Sequence, residues 1–333
     1  MAPTIKEVAG LAGVSTSAVS RAFTEGASVS AKTRQKVEAA ARALGYVPSL
    51  IARSLATNRT KLIGLVANNF QNPAFLEVFD LYTRALQERA LRPLLVNLTD
   101  VTDPADSLRM LRQYCVDGVI VATSTLPPVF AVAFRDAGIP VVHTFGRYSR
   151  RPKVHVVGID NIACGKLAAE TLLAHGYRSV AFLGGPQFAT STQDRATGFV
   201  RRMQAAGAGG VRLCYAEAYA YDAGRAAMVP LLADKSIEAV FCGDDLICMG
   251  AMDAARHVGL RIPGDIGFLG FDDMAMASWS AYNLSTIRQP IKDIILESVN
   301  LVVSLVDDPG RTPVSKLFPC AVVERATLRP TGA

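Results

Sequence analysis

The stretch of sequence that decides the fold is residues 4–23, Thr-Ile-Lys-Glu-Val-Ala-Gly-Leu-Ala-Gly-Val-Ser-Thr-Ser-Ala-Val-Ser-Arg-Ala-Phe. Thr4 and Glu7 have the spacing of a capping box, and the apolar residues that follow recur at helical spacing. Gly13 supplies the permissive backbone that a sharp turn requires, and Ser15 can cap a second helix. The stretch therefore predicts a helix-turn-helix.

The second helix of this motif is predicted to have two different faces. The apolar face packs against the rest of the unit and contains Ala18, Val19, Ala22 and Phe23. The other face carries hydroxyls and a guanidinium, on Thr16, Ser17, Ser20 and Arg21. Because a major groove admits an α-helix and these groups suit base edges and phosphates, we predict that this face contacts DNA. A helical hairpin with a polar outer face is the alternative that the motif alone leaves open.

Positive charge is concentrated at the same end of the chain. Residues 1–61 hold nine Lys or Arg and three Glu, whereas the remaining residues hold 26 basic and 26 acidic side chains. The net charge of +6 therefore belongs entirely to the N-terminal end. Phosphate neutralisation uses such an excess, so the charge distribution favours DNA binding over a plain hairpin.

Two further segments complete the N-terminal part. A third helix is predicted between the cap Ser30 and the terminator Gly45, with an apolar stripe of Val37, Ala40, Ala41 and Leu44. Residues 46–57 have helical composition but extend for only about two turns, which is too short for a stable isolated helix. We predict that this segment folds only against a partner.

From Lys61 onward, short apolar runs alternate with amphipathic stretches of helix length, a pattern typical of parallel βαβ winding. Strands are predicted in two series, at 62–67, 93–98, 118–122 and 139–143, and then at 179–184, 211–215, 239–242 and 266–271. A connector near 154–159 separates the series. A helix over 291–306 and a strand near 316–322 are predicted to cross back and complete both sheets. The pattern predicts two Rossmann-like parallel-sheet subdomains.

Polar and aromatic residues follow many of these strands, where open α/β sheets bind ligands. In the first series they are Asn68, Asn69, Phe70, Phe75, Thr123, Ser124 and Phe145. In the second they are Ser191, Arg195, Tyr219, Asp244, Asp245, Asp272 and Asp273. Carboxylates and a guanidinium that bind hydroxyls, beside aromatic rings, suit a sugar-sized polar ligand. Any one of the acids can instead cap a helix or fix a turn, as we expect for Asp160, and Phe75 and Phe145 can equally be core residues.

Several protein classes lack support in the sequence. There is no His-Glu-x-x-His pair, no Gly-x-Ser-x-Gly elbow, no P-loop, and no Gly-x-Gly-x-x-Gly after the first strand, so we expect neither an enzyme nor a cofactor. The six cysteines include no Cys-x-x-Cys pair, which indicates neither disulfides nor a zinc or other metal site. Without a signal-peptide pattern or an apolar stretch of about 20 residues, we expect a soluble, cytoplasmic protein with no membrane partner.

The chain resembles a known family in five motifs that occur in the same order. These are Thr-Ile-x-x-Val-Ala-x-x-Ala-Gly-Val-Ser, Ala-Val-Ser-Arg, Leu-Gly-Tyr-x-Pro, Ala-Arg-Ser-Leu and Ile-Gly-Leu-Val. Together they are similar to the lactose-repressor and galactose-repressor (LacI) family of bacterial transcription regulators, essentially from end to end. The resemblance implies a homodimer whose paired hinge segments, with Ala52 and Leu55, fold in the minor groove, where Leu55 kinks the duplex.

The same resemblance implies roles for residues of the core. Asp272, in Gly-Phe-Asp-Asp, would bind hydroxyls of an effector, with Arg195 as its partner. Asp244 stands where the family commonly has Asn, and an ionised acid accepts hydrogen bonds without donating them. The favoured effector is a sugar, sugar acid or sugar phosphate, with a nucleobase as a further candidate, although both acids disfavour a purely anionic ligand unless Arg195 offsets them.

The resulting prediction is a dimeric, ligand-responsive repressor with a helix-turn-helix head and a two-lobed core like that of periplasmic binding proteins. The head covers residues 1–47, the hinge 48–60 and the core 61–333. Lobe 1 takes about 61–160 and 290–318, and lobe 2 takes about 161–289 and 319–330. An architectural DNA binder that ignores small molecules is the main alternative, and a solute-binding protein fits less well because of the basic head.

Overall fold

The computed structural model describes residues 3–24, 26–48, 54, 59–68, 70, 72–98, 104–126 and 128–331. The chain divides into two compact units, an N-terminal unit at Met1–Lys61, which contains the head, and the core at Leu62–Ala333. Within the described ranges, no helix combines the length and the apolar character needed to cross a bilayer.

The helix-turn-helix of the head is confirmed. Helix α1 (Ile5–Ala12) begins at a capping box in which Thr4 and Glu7 bond each other's backbone N–H groups. Gly13 ends the helix in the left-handed region at a φ of 64°, which its missing side chain allows. Helix α2 (Thr16–Ala22) then begins at Ser15, whose hydroxyl accepts a bond from the Ala18 N–H at 3.2 Å.

The third helix, α3 (Ala31–Leu44), packs across the first two. It has the predicted cap at Ser30 and the predicted left-handed terminator at Gly45. Its buried residues Val37, Ala40 and Ala41 complete the head's hydrophobic core. Leu44, however, is 36% exposed, so its placement in the apolar stripe was wrong. Leu44 is not among the residues that pack against the core of the head, whereas Tyr46, two residues later, does pack against it.

The first lobe of the core contains a six-stranded sheet in which all strands are parallel. Its order is β11-β5-β4-β3-β1-β2, with β1 (Leu62–Ala67), β2 (Arg92–Asn97), β3 (Gly118–Ala122), β4 (Val141–Thr144), β5 (His155–Gly158) and β11 (Ser315–Leu317). Its helices are α4 (Ala74–Gln87), α5 (Pro104–Gln113), α6 (Pro128–Asp136) and α11 (Ile291–Asp307). The central strand β3 is buried along its whole length, as expected for a sheet covered on both faces.

The second lobe repeats this plan. Its sheet has the order β12-β10-β9-β8-β6-β7, with β6 (Val180–Gly184), β7 (Arg212–Tyr215), β8 (Ala239–Cys242), β9 (Gly267–Asp272), β10 (Thr286–Arg288) and β12 (Ala321–Val323). Only the edge strand β12 is antiparallel to its neighbour. The helices are α7 (Asn161–Ala174), α8 (Thr190–Ala205), α9 (Tyr221–Met228) and α10 (Asp245–His257). The predicted two-lobed α/β core is therefore confirmed.

Three crossovers join the lobes, and two sequence predictions near them were wrong. Residues 154–159 do not form a plain connector, because 155–158 are strand β5, paired with β4 and β11. The run 316–322 is divided into β11 and β12 at Phe318-Pro319-Cys320, since Pro319 has no N–H to donate to a ladder. We name residues 159–160 the first crossover, 289–290 the second and 318–320 the third.

Helices α7 and α8 of the second lobe make an unusually close contact. A Cβ added at Gly165 would lie 2.1 Å from the carbonyl oxygen of Arg195, and one added at Gly198 would lie 1.9 Å from that of Ile162. Glycine is therefore required at both positions for the backbones to approach this closely. The contact fixes Arg195 of α8 relative to the first turn of α7.

Candidate functional site

The outer face of α2 is the candidate DNA-contacting surface of the head. Thr16, Ser17, Ser20 and Arg21 are all exposed, whereas Val19 and Ala22 of the same helix are buried. The Arg34 guanidinium of α3 binds the carbonyl oxygen of Ala22 and so holds the end of α2 in place. The predicted contacts thus share one exposed face, while the hinge residues Ala52 and Leu55 lie outside the described residues.

A cavity of about 270 Å³ lies between the lobes, beyond the carboxyl ends of strands from both sheets. Six of the seven predicted effector contacts line it: Phe75, Phe145, Arg195, Tyr219, Asp244 and Asp272. Asn68, Thr123 and Ser124 line it as well. This position agrees with the general rule for ligand sites in open α/β sheets.

The remaining candidates occupy other positions. Ser191 does not line the cavity, but its hydroxyl contacts the Tyr219 hydroxyl at 3.1 Å and so helps to hold that ring. Phe70 stacks on Phe79 in the core, with ring centroids 4.7 Å apart. Asn69 lies outside the described residues.

The acids Asp245 and Asp273 make structural contacts. Asp245 accepts bonds from Thr286 and the Met274 N–H. Asp273 forms ion pairs with Arg288 and Arg325.

Arg195 is held from three sides. Its Nε donates to Asn161 at 2.8 Å, its Nη1 donates to the carbonyl oxygen of Gly243 at 2.5 Å, and its guanidinium lies 3.6 Å from the centroid of the Phe271 ring. The residue is only 6% exposed. The Nε and Nη1 donors of Arg195 are therefore engaged within the protein. Their two bonds connect the first turn of α7 to the end of β8.

Asp244 and Asp272 form an interacting carboxyl pair in the wall of the cavity. Burial and, next to it, the charge of Asp244 raise the pKa of Asp272 to about 8, although Arg195 and a bond from Gln289 oppose the shift. Burial also raises the pKa of Asp244, although three donors favour its charged form: Asn72, the Leu246 N–H and the Ile247 N–H. At neutral pH Asp272 therefore holds its proton, because its pKa lies above neutrality.

A protonated Asp272 changes what the cavity can recognise. A carboxylic acid donates one hydrogen bond and still accepts, whereas the carboxylate expected from the sequence only accepts. Asp272 also has a φ of 110°, and Phe145, on the opposite lobe, has a φ of 62°. Non-glycine residues in this region of backbone space are strained, and such strain is concentrated at functional sites.

The residues of the cavity wall that sequence reasoning missed include Asn72, Asn161, Trp279 and Gln289. Gln289 follows β10, which has three residues and is too short to leave a recognisable apolar run. Asn161 follows Asp160, which caps α7 as predicted by accepting a bond from the Ala163 N–H. Asn72 and Trp279 lie in the segments after β1 and β9 but not directly at the strand ends, where candidates were sought.

The lobes are bonded directly across the cleft. Asn72 of lobe 1 donates to Asp244 of lobe 2 at 3.0 Å, and Thr190 donates to the carbonyl oxygen of Ser124 at 3.0 Å. Arg147 forms an ion pair with the buried carboxylate of Asp194. Since Asn72 and Asp244 both line the cavity, a ligand that contacts either residue acts on the bond that joins the lobes.

The raised pKa of Asp272 predicts how stability depends on pH. The folded state holds this proton after the unfolded chain, with an ordinary pKa of 3.8, has released it. The contribution is therefore complete below about pH 4 and is lost as pH rises towards 8, at a rate of at most about 1.4 kcal/mol per pH unit. Urea unfolding across this range should show a steeper decline for the wild type than for Asp272→Asn. Equal slopes would contradict the assignment.

These features define a class of protein: a transcription regulator with a helix-turn-helix head and a periplasmic-binding-protein-like core. Residues 4–49 match the family described as bacterial regulatory proteins, lacI family, and residues 169–328 match the periplasmic binding protein-like domain. The chain is 34% identical over 297 residues to the HTH-type transcriptional repressor PurR of Proteus mirabilis, covering 86% of this chain and 85% of the relative. The chain belongs to the LacI family, and it is a DNA-binding transcription repressor rather than an enzyme.

Two solved structures are similar along almost the whole chain. The lac repressor dimer bound to operator and the anti-inducer ONPF has a TM-score of 0.89 at 24% identity, covering 99% of this chain and 100% of that one. A complex of the transcriptional regulator CelR with cellobiose has a TM-score of 0.73 at 29% identity, covering 98% of this chain and 99% of that one. Both share the arrangement of an N-terminal head and a two-lobed core.

Proposed function

We propose that this repressor is a homodimer whose affinity for operator DNA is switched by a neutral saccharide bound in the cavity between the lobes. The composition of the cavity wall carries the proposal. The Asp244 and Asp272 carboxyls and the Arg195 guanidinium lie there beside four aromatic rings, those of Phe75, Phe145, Tyr219 and Trp279. Polar groups that bind hydroxyls next to aromatic faces suit a sugar ring. We assign residues 1–47 to the head, 48–60 to the hinge and 61–333 to the core.

The charges around the cavity narrow the effector class. Asp244 accepts three hydrogen bonds that favour its charged form, Glu77 is exposed at the cavity, and Arg195 is the only cation among the described lining residues. Because Arg195 already binds Asn161 and Gly243, it offsets the charge of the acids without leaving positive charge for a ligand anion. A phosphate or carboxylate of the ligand would meet net negative charge. A neutral sugar is therefore favoured over the sugar acids and sugar phosphates that the sequence left open, and the CelR complex with cellobiose supports that choice.

The switch would act through lobe closure. A saccharide that binds Asn72, Asp244 or both would compete with the hydrogen bond between these two residues, which joins the lobes. A ligand shifts such an equilibrium by the difference between its affinities for the two states. We propose that closure alters the separation of the paired hinges, and with it the population in which Ala52 and Leu55 are in the minor groove.

A ligand screen tests this function. Trp279 is the only tryptophan of the chain and lines the cavity, so its emission should change when a ligand binds there. We would titrate glucose, ribose, cellobiose, gluconate, glucose 6-phosphate and hypoxanthine, and follow thermal unfolding in parallel. A ligand at 100 times its dissociation constant adds about 2.7 kcal/mol to the unfolding free energy. Tightest binding by gluconate or glucose 6-phosphate would contradict the charge argument, and no response to any compound would favour a ligand-independent DNA binder.

The head offers a separate prediction. Arg21→Ala is expected to weaken operator binding by roughly 1 to 3 kcal/mol while affecting random DNA much less, because a base contact contributes only at the correct sequence. Fluorescence anisotropy with operator and scrambled duplexes measures both effects. Lys6→Ala, which removes a head cation outside α2, is the control for a general loss of charge. Equal weakening on both duplexes would assign Arg21 to a phosphate.

A further inference from the structure

Two cysteines of the core are in contact. The sulfur atoms of Cys164 and Cys320 lie 3.3 Å apart, and both thiols are free. A disulfide has an S–S length of about 2.05 Å, so the sulfurs need to approach by only slightly more than about 1 Å. Cys164 is buried in the first turn of α7, and Cys320 is partly exposed at the end of the third crossover. The pair is thus close to bonding distance, and one of its members is open to solvent.

The surroundings give the two thiols different reactivities. The pKa of Cys164 is lowered, because a hydrogen bond with Cys320 stabilises its thiolate and the charge of Arg195 adds to this effect, while burial opposes it. The same hydrogen bond and burial raise the pKa of Cys320, which stays protonated. Because the thiolate is the reactive form, Cys164 has the properties of an attacking thiol and Cys320 those of a resolving one.

The pair lies where the lobes are joined. Cys164 follows the first crossover by four residues, and Cys320 is the last residue of the third crossover, so a bond between them would tie two of the three connections. The next residue, Gly165, packs directly against the carbonyl group of Arg195 in the cavity wall. A change at Cys164 is therefore transmitted to the proposed effector site through a rigid backbone contact.

We propose that Cys164 and Cys320 are a redox modification site that forms a reversible disulfide when hydrogen peroxide is present. The Cys164 sulfur attacks one peroxide oxygen, the O–O bond breaks, and the released hydroxide takes up a proton to become water. The Cys320 sulfur then attacks the sulfenic acid on Cys164, the S–O bond breaks, and a second water leaves with the Cys320 proton. The two thiols lose two electrons, which reduce the peroxide to two molecules of water.

A disulfide at this position should restrict the change in lobe closure, a consequence that rests on the proposed function. Disulfides in the cytosol of mesophilic organisms are usually transient and either catalytic or redox-sensing. A reversible bond near the crossovers fits this pattern. The oxidised protein should therefore respond to a saccharide with a different midpoint from the reduced protein. A coupling between two sites typically changes affinity by at least about fivefold.

The first test detects the bond itself and needs no effector. Reduced full-length protein is treated with hydrogen peroxide, the remaining thiols are alkylated after denaturation, and peptides are mapped by mass spectrometry without reduction. We expect a Cys164–Cys320 linked peptide that dithiothreitol removes, that Cys164→Ser and Cys320→Ser both abolish, and that Cys115→Ser retains. Cys115 is exposed and serves as the matched control for access of the oxidant. Full alkylation of Cys164 and Cys320 after Cys115 has been oxidised would overturn the site.

The second test measures the consequence for the cavity. Trp279 emission is titrated with glucose and with cellobiose in the reduced and the oxidised protein, and in Cys164→Ser before and after the same treatment. We expect the midpoint to change at least about fivefold on oxidation of the wild type and to stay constant on treatment of Cys164→Ser, which lacks the attacking thiol. An unchanged midpoint in fully cross-linked protein would refute the link to closure. If no saccharide changes the emission of the reduced protein, the proposed function fails, while the linked peptide still decides whether the modification site exists.

Discussion

Replacing Gly198 by alanine is expected to lower the unfolding free energy of the core by about 3 kcal/mol. The added Cβ would lie 1.9 Å from the carbonyl oxygen and 2.8 Å from the carbonyl carbon of Ile162, so α7 and α8 would have to move apart. The higher helix propensity of alanine offsets up to about 1 kcal/mol of this loss. This gain is smaller than the cost of separating two packed backbones. Urea unfolding followed by Trp279 emission measures the change in the core.

Gly10→Ala is the matched control for this substitution. Gly10 lies within α1 of the head, and a Cβ there would meet nothing within 4 Å. The same chemical change should therefore stabilise the head by up to about 1 kcal/mol instead of destabilising it. If Gly198→Ala proved as stable as the wild type, the close approach of α7 and α8 would be disproved, and with it the argument for how Arg195 is positioned.

Much of the fold could be predicted because local chemistry marks it in the sequence. The caps Thr4, Ser15 and Ser30 and the terminators Gly13 and Gly45 satisfy backbone groups within a few residues, so their effect is visible without tertiary context. The long apolar runs that became β1 and β3 were similarly clear. Strands β5 and β10 were not recognised, since four and three residues are too few to show a periodic pattern, and their pairing depends on neighbours distant in the chain.

The residues of the candidate site could be predicted only where they directly follow a strand that the sequence pattern reveals. Asp244 and Asp272 are found at the ends of strands, and the topology brings all such ends to one edge. The contact of Asn72 with Asp244 spans 172 positions, so it depends on how the lobes face each other. The protonation of Asp272 was also beyond the sequence, because burial and a second nearby carboxyl cause it.

Asp272→Gly is expected to leave operator affinity near that of the wild type while weakening the effector response by up to about a hundredfold. The cost of an unpaired hydroxyl in a closed cleft is on the order of 1 to 3 kcal/mol, which sets this range. Glycine is a sharper test than alanine, because residue 272 has a φ of 110°, which glycine adopts without strain. The substitution removes the whole carboxyl group, whereas asparagine would keep a donor and an acceptor like those of the protonated acid. Anisotropy with operator, with and without the saccharide found in the screen, gives both quantities.

Asp273→Asn separates loss of recognition from loss of structure. Asp273 is the neighbouring acid, also has a positive φ, and binds Arg288 and Arg325 without lining the cavity. Breaking those ion pairs should lower stability but leave the effector midpoint unchanged, whereas Asp272→Gly should change the midpoint. A wild-type midpoint in Asp272→Gly would make residue 272 a structural turn position, and a saccharide would then have to bind elsewhere in the wall.

Arg195→Lys should resemble Asp272→Gly only in part, because lysine keeps the charge but cannot reproduce the bonds to both Asn161 and Gly243.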